Sequence, residues 1–180
     1  FTEGVKQGEL QQTIKFDDPQ KTFELKFAPV GGELTKTAIA NKLMNGNEVT
    51  WTVDINKASR DIKVAELSDV TTSTEMNHEL LGDIEVYEIT KVSMDGNVEV
   101  AATPTNTFTS FPINLGDINK PYRIVYKSKL KENKTTSFTN TATLTGTENG
   151  KQISQSDTFD IELPFYEHLV KQKDVKKEGQ

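Results

Sequence analysis

Hydrophobicity in this chain switches sides at every second residue, and that period commits it to β-structure. In Glu48–Ile55, Val49, Trp51, Val53 and Ile55 share one face while Thr50, Thr52 and Asp54 take the other. This is the pattern of a strand with one face buried. Tyr122, Ile124 and Tyr126 repeat it, as do Phe138, Ala142 and Leu144 against Thr139, Thr141, Thr143 and Thr145. Further strands are expected at 22–27, 34–40, 62–67, 84–90, 98–102, 107–113 and 152–162. Asn45-Gly46, Asp95-Gly96 and Asn149-Gly150 supply the positive φ that tight hairpins require. Only 74–81 reads as a short helix. About ten strands with almost no helix predict an all-β sandwich or barrel. Its core should hold Trp51, Val53, Ile124, Tyr126, Phe138 and Leu144.

Composition narrows the function classes. The 180 residues suffice for one domain with a real core, plus pieces of neighbours. Hydrophobic residues are 34% and mean hydropathy is -0.57. The apolar runs are a few residues long, far short of the ~20 that cross a bilayer. Phe1-Thr2-Glu3-Gly4 lacks the charged start and apolar stretch of a secretory leader, so the chain reads as a processed or excised segment. A net charge of -6 disfavours sequence-blind nucleic-acid binding, which needs a basic face. There is no cysteine, which removes disulfides, thiolate catalysis and Cys-type zinc sites. A secreted protein of this kind needs some other means of hardening.

An internal echo suggests module boundaries. Thr22-Phe23-Glu24-Leu25 recurs as Thr158-Phe159-Asp160-Ile161, and Leu34-Thr35-Lys36 as Leu169-Val170-Lys171, both at roughly 135 residues' spacing. On this reading residues 1–30 are the closing strands of a preceding module or a lead-in. Residues 31–165 are the complete domain. Residues 166–180, rich in lysine, are a linker or the start of another module. Gly31-Gly32 is then a joint between modules.

The most informative feature is a conflict within the alternation. Lys36 lies on the face of Leu34 and Ala38, and Asn140 on the face of Phe138, Ala142 and Leu144. Asp69 shares a face with Leu67 just past a strand. Buried charges and amides are costly unless paired. One reading is structural: Lys36 snorkels to the rim and Asn140 satisfies a backbone amide. The other is chemical. Burial lowers the pKa of a lysine and makes its neutral amine a nucleophile. An acid kept protonated by an apolar site can donate to the Asn carbonyl and stabilise an oxyanion. Attack on the Asn side chain would expel ammonia and leave a Lys–Asn isopeptide bond, a self-modification made once and not a turnover reaction.

Taken in order, Lys36-Thr37, the Trp51 strand, Leu67-Ser68-Asp69, Tyr122–Lys129 and Phe138-Thr139-Asn140-Thr141-Ala142-Thr143-Leu144 resemble the Ig-like domains of Gram-positive cell-wall adhesins of the collagen-binding type. The resemblance covers roughly residues 34–162. It implies an Ig-like β-sandwich of antiparallel strands. It also implies a crosslink from Lys36 to Asn140 assisted by Asp69, with Glu66 as the fallback acid because the polar Thr71-Thr72-Ser73-Thr74 run after Asp69 departs from the family pattern. Members of that family bind collagen, fibrinogen or other host matrix proteins, or serve as stalk domains. The implied location is extracellular, on a cell wall anchored through parts of the chain outside this segment.

Other constellations are weak. His78 and His168 stand in no catalytic order or metal-ligand spacing. Asp17-Asp18 and Asp95-Gly96-Asn97 read as turns, since no calcium loop with its closing Glu follows. No cofactor, metal site or catalytic set for turnover is expected. Against the adhesin stands one alternative, a non-catalytic carbohydrate-binding or accessory sandwich of a secreted enzyme. That alternative needs an exposed aromatic platform, and the single Trp falls on the inward face.

Overall fold

The computed structural model describes residues 11–15, 22–26, 33–40, 48–71, 78–130 and 137–162. Those residues form twelve strands and no helix. They are β1 (Gln11–Lys15), β2 (Thr22–Lys26), β3 (Thr35–Ala40), β4 (Glu48–Ile55), β5 (Ile62–Thr71) and β6 (His78–Val92). Then come β7 (Val98–Val100), β8 (Asn106–Phe108), β9 (Ile113–Ile118), β10 (Tyr122–Leu130), β11 (Ser137–Glu148) and β12 (Lys151–Glu162).

β1 and β2 pair as a separate antiparallel hairpin. The other strands make two sheets. One has the order β3-β4-β10-β6-β7, with β8 also on β6, and the other β12-β11-β5-β9. Every pairing is antiparallel. The all-β expectation therefore holds.

The alternation sets the register. Val53 stands opposite Ile124 and Trp51 opposite Tyr126 on adjacent strands β4 and β10, and all four side chains are buried. From the second sheet Leu67, Ala142 and Leu144 join them in one core cluster. Burying a row of such side chains contributes about 1.5–3 kcal/mol each, which is what holds two sheets face to face. Of the expected core residues only Phe138 has a side chain outside the described set.

The β11–β12 hairpin turns through Asn149 and Gly150, both at positive φ, as the Asn-Gly pair predicts. Asp95-Gly96-Asn97 is also a turn: Gly96 N–H donates to Ser93 O at 3.0 Å and Asn97 Nδ2 to Asp95 Oδ2 at 2.8 Å. Asn45-Gly46, Asp17-Asp18 and His168 lie outside the described residues.

Two local expectations need correction. The expected helix at 74–81 gives way at 78–81 to the start of β6, where Leu80 and Leu81 pair with Ser128 and Lys127 of β10. Cross-strand pairing and the packing of Leu80 against the core override weak helix propensity there. The strand expected at 107–113 is two strands in different sheets, β8 on β6 and β9 on β5. Pro112, which has no N–H to donate to a ladder, separates them.

Candidate functional site: a lysine, an aspartate and an asparagine between the sheets

Lys36 lies on β3, an edge strand, directly opposite Val53 of β4. The alternation that exposes Thr37 and Ile39 turns Lys36 inward. Its side chain is 0% exposed. The backbone N–H of Lys36 points the other way in the ladder and donates to Asp157 Oδ2 of β12 at 2.8 Å, tying the two sheets together at their edge.

Asp69 and Asn140 come from the other sheet. On the β5–β11 ladder Ala142 faces Asp69, and Asn140, two residues away, faces Thr71. Residues two apart on a strand share a face, so Asp69 and Asn140 are diagonal neighbours on the inner side. The sequence placed Asp69 just beyond a strand. It lies within β5, which continues to Thr71.

The Lys36 Nζ donates to Asp69 Oδ2 at 2.5 Å and lies 2.6 Å from the Tyr126 hydroxyl. It also sits 4.6 Å from the centroid of the Trp51 ring and 5.2 Å from that of Tyr126. Cation–π contact on two rings suits a cation that has no water. Burial nevertheless lowers the Lys36 pKa from its ordinary 10.5, against the opposing pull of Asp69 and Asp157. Asn140 is 2% exposed, and its Oδ1 has no hydrogen-bond partner. Most buried polar atoms in proteins have such a partner.

Tyr126 closes the site. Its ring stacks on Trp51 at 6.2 Å between centroids and meets Phe111 edge-on at 4.9 Å. Its hydroxyl lies 2.6 Å from Lys36 Nζ, and burial, followed by the Asp69 charge, raises its pKa while the Asn140 side chain pulls it the other way. Trp51 is held in turn by its indole N–H donating to Ser128 Oγ at 2.8 Å.

The structure thus sets Lys36 against Asp69, with Asn140 on the same inner face of the neighbouring strand. Glu66 is not among them. It lies on the opposite, exposed face of β5. Sequence reasoning placed Tyr126 in the core as an apolar residue and missed its role in this cluster. The available signal was its phenol, because a buried tyrosine hydroxyl needs a partner. A second buried lysine, Lys57, was also missed. Its Nζ donates to Thr35 Oγ1 at 3.2 Å, and burial lowers its pKa against the nearby Asp54 and Glu33. Among the described residues no cluster of His, Cys, Asp and Glu could hold a metal. The described residues include no helix long and apolar enough to cross a membrane.

The collagen binding domain family matches residues 33–155 of the chain. Among solved structures, the collagen-binding subdomain of the Enterococcus faecalis surface protein ACE is 13% identical, with 72% of this chain covering 96% of that one at a TM-score of 0.44. The collagen-binding domain of a Staphylococcus aureus adhesin is 16% identical, with 72% covering 97% at 0.43. A third structure, described as manganese lipoxygenase of Gaeumannomyces graminis with partial zonadhesin of Komagataella pastoris, is 17% identical at 0.51. There 88% of this chain covers 56% of the other, so it spans little more than half that length. At such identity the likeness concerns fold alone. No curated protein sequence matches the chain.

Proposed function

Because the chain belongs to the collagen binding domain family, we propose that it is a module of a bacterial cell-surface adhesin that binds collagen or a similar host matrix protein outside the cell. In this reading residues 31–165 are the working domain. Residues 1–30 close a preceding module or lead in to the domain, and residues 166–180 are a linker or the start of another module. It is no turnover enzyme. The carbohydrate-binding alternative loses support because Trp51 is fully buried and the other described aromatic residues are at most partly exposed. Binding of the purified chain to immobilised triple-helical collagen, with albumin as the control surface, tests the adhesive role. Saturable binding to collagen supports a binding head, and its absence leaves a stalk domain.

The same reading includes a self-formed Lys36–Asn140 crosslink. The observation that carries it is a fully buried lysine against Asp69, with Asn140 beside them and its carbonyl oxygen unpartnered. The Lys36 ammonium passes a proton to the Asp69 carboxylate, since two neutral groups are cheaper in a dry site than two charges. The free amine attacks Asn140 Cγ. The carbonyl electron pair moves onto Oδ1, where the Asp69 acid donates a hydrogen bond to it. A C–N bond to Nζ forms, the bond to Nδ2 breaks, and ammonia leaves. Tryptic digestion followed by mass spectrometry tests this. A branched peptide joining the Lys36 and Asn140 segments is expected, and recovery of the two as separate linear peptides contradicts it.

A further inference from the structure

Formation of the crosslink leaves one proton transfer unassigned. In the tetrahedral intermediate the lysine nitrogen carries one proton too many to become an amide, and Asn140 Nδ2 one too few to leave as ammonia. Both nitrogens border a single group, the Tyr126 hydroxyl. Its distance to Lys36 Nζ is 2.6 Å. Asn140 lies on the same inner face as Asp69, to which Lys36 is hydrogen-bonded, and its side chain favours the ionised form of this hydroxyl, as an N–H donor does and a carbonyl oxygen does not. Since Asn140 Oδ1 has no hydrogen-bond partner, the contacting amide atom is Nδ2. The hydroxyl therefore stands between the nucleophile and the leaving group.

We propose that Tyr126 is a catalytic residue of the Lys36–Asn140 crosslinking, its hydroxyl relaying the proton from the lysine nitrogen to the departing amide nitrogen. The inference rests on the crosslink reading above. As the Cγ–Nδ2 bond breaks, the phenol gives its hydrogen to Nδ2 and takes one from Nζ. Ammonia departs, the new amide is neutral, and the tyrosine ends as it began. No other reactant is consumed. Asp69, which takes the first proton from Lys36, is then free to stay on Oδ1.

The surroundings fit a relay and not a free phenolate. Stacking on Trp51 and the edge contact with Phe111 fix the ring. The hydroxyl's burial raises its pKa, so it stays protonated and acts by giving one hydrogen while accepting another. Tyr126 is 4% exposed and the Lys36 side chain 0%, which leaves little room for water to do the same work.

The test follows ammonia loss by intact mass after a short pulse of cell-free synthesis, for the wild type and for Tyr126→Phe. The phenylalanine keeps the ring and removes only the relay. The expected result is crosslinking about 100-fold slower in Tyr126→Phe, with a smaller solvent deuterium isotope effect than in the wild type. Adding Tyr126→Phe to Asn140→Ala should move the melting temperature by less than about 5 °C, which excludes misfolding as the cause. Crosslinking at the wild-type rate overturns the relay, as does slower crosslinking with the isotope effect intact. A wild type that loses no ammonia overturns the crosslink itself, a separate and distinguishable failure.

Discussion

Among the described residues Lys36 shows a sharp conflict between chemistry and position: an ammonium whose side chain has no exposure. Its salt bridge to Asp69 and its two aromatic faces offset the lost hydration only in part, so burial still lowers its pKa from 10.5. This has a measurable consequence in an Asn140→Ala chain, where no crosslink forms and Lys36 remains an amine. Between the lowered folded pKa and the unfolded value, the unfolded chain binds a proton that the folded chain lacks. Stability therefore rises with pH across that window and levels off above it. Lys57 adds the same trend to every variant. Urea melts from neutral pH to about pH 10 should show a steeper rise for Asn140→Ala than for Lys36→Met, which has no amine at this position. Equal slopes would contradict a depressed Lys36. The inward placement of Lys36, Asp69 and Asn140 was legible in the sequence because each breaks an apolar alternation. The part of Tyr126 was not, since a tyrosine on an apolar face looks like ordinary core until its hydroxyl is given a neighbour.

At the scale of strands, period-2 patterning identified β4, β10 and β11 with their faces, because one buried face makes a one-residue slip costly. Sheet membership was less legible. Nothing local distinguishes β8 from β9, yet they join opposite sheets, and the start of β6 depends on pairing with β10, which lies about 50 residues further along. Bulges add another non-local feature. On β11 the register with β5 shifts between Thr145 and Thr147. There Gly146 lies so close to its neighbours that a Cβ would meet Ile62 Cγ2 at 2.5 Å and the Lys63 carbonyl at 3.0 Å. Ile62 is fully buried and cannot swing away. Gly146→Ala should therefore destabilise the domain by about 1–3 kcal/mol, read as a lower urea midpoint. An unchanged midpoint would show that β5 and β11 can part at the bulge without loss.

For the whole molecule, the proposed crosslink would brace a chain without cysteine by joining Lys36 of one sheet to Asn140 of the other. Its hydrogen-bonded counterpart is the Lys36 N–H to Asp157, which joins the same two sheets at β3 and β12. A covalent link enclosing roughly 100 residues stabilises by about 4–5 kcal/mol on the chain-entropy argument used for disulfides. Lys36→Ala and Asn140→Ala should both fold, melt well below the wild type and yield faster to protease. Equal melting temperatures for all three would deny the brace. Whether these side chains react is read from the intact mass of the purified protein. The wild type should weigh less than its sequence by one ammonia, and Asp69→Ala should regain the full sequence mass. A wild type at full sequence mass would contradict the account and leave Lys36 and Asn140 as structural residues only.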